Sequence, residues 1–151
     1  MRLNCGIDPK YLSDEHLFAE QRELKMLPSL YKRIGNKSVY KAPTEFTLGK
    51  GHMLFFVYKP NYTYNRYNIV FNECINRGYQ IKDESYRWIE AYGDKFLKHI
   101  DYKETGKERD LLISRISTKV MSSPKEYFHY NHQRISKEET INILLKTRIL
   151  N

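Results

Sequence analysis

Ser13-Asp14-Glu15-His16-Leu17-Phe18-Ala19-Glu20-Gln21-Arg22-Glu23-Leu24-Lys25-Met26-Leu27, followed by Pro28, reads as one long helix. The Ser13 hydroxyl can cap it, Asp14 and Glu15 face the positive end of its dipole, and Pro28 predicts a stop before or near that residue. With 100° per residue and His16 at the origin, Leu12, Ala19 and Leu27 fall within about 60° of it, and so do Glu20 and Glu23. An ordinary amphipathic helix keeps two carboxylates and an imidazole off such a stripe, because half-buried charge is costly unless paired. One reading is an i,i+4 His16–Glu20 pair beside a solvated Glu23, worth a few tenths of a kcal/mol. The other is a functional cluster. The spacing is not the HExxH arrangement, and Cys5 and Cys74 complete no ligand set, so no metal and no cofactor are expected.

Outward from this helix, Gly35-Asn36, Pro43 and the Gly49–Gly51 pair punctuate a loop-rich region. Met53–Tyr58 (MLFFVY) is too short to separate a strand from a buried irregular segment. From Tyr62, the residues Tyr67, Val70, Phe71, Cys74 and Ile75 recur at helical spacing, and Gly78 stands where a C-cap glycine belongs. A third helix is predicted from near Lys107, turning Leu112, Ile113, Ile116 and Val120 inward and ending before Pro124. Ser136 and Glu139 form a capping-box pattern ahead of a short fourth helix. The expected fold is all-α: a single compact domain over residues 1–151, with three main helices, long loops and a short C-terminal helix.

The chain carries 26 Lys and Arg against 18 Asp and Glu in 151 residues, a net charge of +8 that suits a polyanionic partner. Its 13 tyrosines serve base stacking or ordinary half-buried packing. Two cysteines are too few for a disulfide framework, and no apolar run approaches the length of a membrane span. A soluble cytoplasmic protein that does not meet a membrane is expected.

Three blocks then carry a resemblance. His16–Leu24 is similar to the HLxAEYREL signature of the phage-type pyrimidine-dimer DNA glycosylases, the endonuclease V family. Ala42-Pro43-Thr44 through Leu48-Gly49-Lys50-Gly51-His52-Met53-Leu54-Phe55-Phe56 resembles that family's SPTFxLGxGHxxFF segment, and Glu73–Asp83 resembles its ECLKRGFNIKD stretch. The blocks stand in family order, and weaker similarity extends to about Tyr130. Residues 131–151 form a C-terminal extension with no carried-over role.

The resemblance implies a DNA-repair glycosylase with AP-lyase activity and, from the family, a viral source whose protein works in the host cytoplasm. The partner is double-stranded DNA containing damaged pyrimidines, cyclobutane dimers above all, bound by a monomer. In this family the α-amine of the mature chain attacks the sugar C1′ and displaces the base. The resulting Schiff base undergoes β-elimination, which nicks the strand. Met1 would supply that amine, since methionine is normally retained ahead of a residue as large as Arg2. Glu23 matches the catalytic glutamate. Arg2 and His16 match residues near the amine, and Arg22, Arg115 and Lys119 match DNA-contacting positions. Lys25 would substitute for an arginine replaced here by Met26, and Gln21 stands for a tyrosine. Glu126-Tyr127-Phe128-His129-Tyr130 replaces Trp-Tyr-Lys-Tyr-Tyr, leaving Tyr127 and Tyr130 as stacking candidates. Two alternatives remain open at this point: an inactive DNA-binding protein on the same scaffold, or the same chemistry on another modified base.

Overall fold

A computed structural model of the chain describes residues 3–149, and side chains for residues 3–147. The Ser13 hydroxyl accepts from the His16 amide at 3.2 Å and starts helix α1, Asp14–Ile34. Then come α2 (His52–Val57), α3 (Pro60–Asn76), α4 (Tyr86–Tyr92) and α5 (Gly106–Ser122). A hairpin of β1 (Tyr127–Tyr130) and β2 (Gln133–Ser136) leads into α6 (Lys137–Ile149). The three long helices α1, α3 and α5 are those predicted from periodicity, so the domain is all-α apart from one small hairpin.

Helix α1 does not stop at Pro28 but continues for six further residues. Proline removes one amide donor and crowds the preceding turn, yet packing outweighs that here. Pro28 is buried, and beyond it Tyr31 packs on Tyr92 with ring centroids 4.3 Å apart. Gly35, at φ +55°, ends the helix. The undecided MLFFVY stretch is helical, because it follows Gly51, whose φ of +97° turns the chain into α2. A Cβ at Gly51 would come within 2.9 Å of Pro43. Neither α4 nor the hairpin was expected.

Helix α1 is central, packing against α2, α3, α4 and β1. Its buried residues Leu17, Glu20, Gln21, Leu24, Leu27 and Pro28 centre the core stripe about a quarter turn from His16. His16 and Glu23 therefore lie on the rim of the stripe rather than its middle. The N-terminal segment threads into the core through a turn in which the Ile7 amide donates to the Asn4 carbonyl at 3.2 Å, burying Leu3, Cys5 and Ile7 completely. Burial pushes the Cys5 thiol far up, so it is inert.

The hairpin is tied to the start of α1. Asp14 accepts from the Asn131 and His132 amides at 3.0 and 2.9 Å, and Glu15 accepts from the amide and Nδ1 of His129 at 2.9 Å each. The two turn residues Asn131 and His132 have φ of +50° and +72°, as a two-residue hairpin turn of the right twist requires. Stacking of His132 on Tyr79, with centroids 4.1 Å apart, helps hold that conformation.

Candidate active site

The wall of the site begins with a buried ion pair. Glu20, 1% exposed, accepts from Arg66 Nε and Nη2 at 2.7 and 2.9 Å. The same carboxylate accepts from the Asn4 amide and side-chain nitrogen at 3.1 Å each, while Arg66 Nη1 donates to the Ile7 carbonyl at 2.7 Å. One node thus fixes residues 4–7 to α1 and α3. Glu20 pairs with Arg66, not with His16, and its oxygens are occupied, so it is structural.

Above that node, between α1 and α5, lies a small cavity of about 130 Å³. Asn4, His16, Glu20 and Glu23 line one side, and Arg115, Ile116 and Lys119 the other. Glu23 is one helical turn beyond Glu20 and half-buried. Arg115 and Lys119 lie one turn apart on the exposed side of α5. His16 shares a 2.7 Å hydrogen bond between Nδ1 and the Ser13 hydroxyl, and its ring stacks on Phe128 at 5.7 Å. Burial lowers its pKa below the usual histidine value; Glu15 opposes this, and Lys125 and Lys119 add to it. His16 is therefore neutral near pH 7.

Arg22 is exposed between two grooves. The larger, about 870 Å³, is lined by Lys25, Met26, Ser29, Arg33, Met53 and Arg87 among others. The smaller, about 430 Å³, reaches Phe18, Tyr79, Lys125 and His129. Lys25 lines the first groove but makes a 2.7 Å ion pair with Glu84. Tyr127 is 39% exposed with the Arg134 guanidinium 4.3 Å from its ring centre. Tyr130 is turned against the body: its hydroxyl donates to the Lys10 carbonyl at 2.7 Å, and Arg77 lies 4.4 Å from its ring centre. Met1 and Arg2 lie outside the described residues.

So Glu23, His16, Arg115 and Lys119 come together, while Tyr127 and Tyr130 stand on the separate hairpin. Sequence reasoning passed over Asn4, Arg66, Lys125, Arg33 and Arg87. Helical spacing from Arg22 through Met26 and Ser29 could have found Arg33; the others are assembled by tertiary contact.

Residues 1–87 match the family model of the pyrimidine dimer DNA glycosylases. The chain belongs to the pyrimidine dimer DNA glycosylase family. It is a DNA glycosylase, and its substrate is DNA. No solved structure matches the chain. The matched part of this glycosylase carries Asn4, His16, Glu20 and Glu23, whereas Arg115 and Lys119 on the opposite wall come from beyond it. Among the described residues, no helix is long and apolar enough to cross a membrane, and no His, Cys, Asp and Glu cluster is placed to hold a metal.

Proposed function

We propose that this glycosylase acts through a Schiff base formed by the α-amine of Met1, with AP-lyase activity following base removal. The observation that carries the reading is the cavity in which Asn4 and Glu23 face Arg115 and Lys119. From Leu3, the Met1 α-amine is two residues upstream, a reach of at most about 7 Å. An α-amine near its ordinary pKa of about 8 has a neutral, nucleophilic fraction at pH 7 that a lysine lacks. Neighbouring cations raise that fraction by disfavouring the ammonium form.

The amine attacks C1′, the glycosidic bond breaks toward the base, and the electron pair leaves with it. Glu23 stabilises the cationic sugar and passes a proton to O4′ as the C1′–O4′ bond breaks, which opens the ring to the imine. Loss of the C2′ proton then expels the 3′ phosphate and nicks the strand. Arg22, Lys119 and Arg115 hold phosphates, with Arg2 and His16 beside the amine. Tyr127 offers a stacking face. The lesion is a cyclobutane pyrimidine dimer, whose weakened stacking lowers the cost of exposing C1′ within the duplex.

Sodium borohydride trapping without metal, on irradiated and on abasic-site duplexes, tests this. Wild type should form a covalent adduct on both, and an N-terminally blocked chain on neither. Glu23→Gln should lose the adduct on irradiated DNA. An adduct on abasic DNA alone would move the target to another base; silence on both would leave a DNA-binding protein without this chemistry.

A further inference from the structure

We infer that His52 is a positioning residue for the attacking amine, an inference that rests on the N-terminal-amine reading above. His52 is 2% exposed, and its two ring nitrogens do different jobs. Nδ1 lies 2.7 Å from the Thr47 carbonyl, an acceptor only, so Nδ1 carries the proton and donates. Nε2 lies 2.9 Å from the Leu3 amide, a donor only, so Nε2 is unprotonated and accepts. Both contacts are satisfied only by the neutral Nδ1–H tautomer.

The ring is held rigidly. Phe46 and Phe56 meet it edge to face at 5.6 and 5.1 Å, and Gly51 delivers it through a backbone turn that only glycine adopts easily. His52 therefore fixes the last described amide before the amine, while the Glu20–Arg66 node fixes the next one, at Asn4. Two consecutive amides, anchored by α2 and α1, thus hold Leu3 in place two residues from the amine. Leu3 is fully buried, so its amide needs an acceptor, and His52 supplies it two residues from the amine.

The test compares His52→Gln, whose side-chain oxygen can replace Nε2 as acceptor, with His52→Asn, whose shorter amide reaches Thr47 but not Leu3. The readout is the single-turnover rate of borohydride trapping on saturating abasic-site duplex, with the affinity for a duplex bearing an uncleavable tetrahydrofuran site alongside. His52→Asn should slow trapping about 100-fold, with affinity within about twofold of wild type, and His52→Gln should recover to within about threefold. Equal trapping rates in His52→Asn and wild type would overturn the inference. Silence of wild type itself would instead overturn the amine reading, and this inference with it. Nitrogen-15 spectra of wild type decide the matter independently of variant folding: the Nδ1–H tautomer is expected, and Nε2–H would overturn it.

Discussion

Two nodes on α1 share one design. In each, a carboxylate of α1 meets an arginine of α3 or its C-terminal cap, and together they bind the backbone of a distant segment. Glu20 and Arg66 hold residues 4–7; Asp14 and Arg77 hold residues 131–132 and the Pro9 carbonyl. On the proposed mechanism, the first holds the segment that leads to the amine, while the second holds the hairpin. Only the first lies wholly within the family-matched residues. The chain thus ties down a segment of the matched part and the unmatched hairpin by the same means.

The largest expected effect comes from breaking the first node. Arg66→Met leaves Glu20 charged in the core without its cation, and unfolding in urea should show a loss of about 3–5 kcal/mol. Asp14→Asn keeps the shape of the second node but weakens its charge-assisted bonds. It should cost about 1–3 kcal/mol and leave the trapping rate on abasic DNA near wild type. If Asp14→Asn slowed trapping as much as Arg66→Met, the division between the two nodes would be wrong.

Proton linkage sharpens the contrast. His16, between the nodes, has its pKa lowered by burial, so the unfolded chain takes up a proton first as pH falls. Its contribution is complete above about pH 6.5 and is lost progressively below that. For Asp14, burial acts upward, but bonds from Tyr79, the His132 amide and Arg77 outweigh it and hold the carboxyl low. That contribution is present above about pH 4 and lost below it. Thermal midpoints should therefore fall in two stages on acidification, and His16→Gln should remove the first. The smallest effect is expected from Arg33→Ala: the salt slope of DNA binding should decrease by about one, with the trapping rate at saturating DNA unchanged.

The sequence made much of this legible, unevenly. Capping at Ser13, Gly78 and Ser136 and the periodicity of α3 and α5 located elements correctly, because those signals are local. Polar residues on the α1 stripe marked the site, but the wheel was centred on His16 while the core stripe lies a quarter turn away. Glu20 finds its partner 46 residues onward and His52 finds its partner 49 residues back, distances that no local pattern encodes. Pro28 misled because tertiary packing overrides a local preference, and the MLFFVY stretch stayed undecided because it is too short to show a period. The hairpin was hidden by a turn that places histidine at positive φ, held there by the Asp14 carboxylate and by stacking on Tyr79.

The most direct test is to map the borohydride-trapped adduct by mass spectrometry of proteolytic fragments. The mechanism proposed here places the reduced sugar on the α-amine of Met1. An adduct on a lysine side chain, such as Lys119 at the cavity wall, would contradict it.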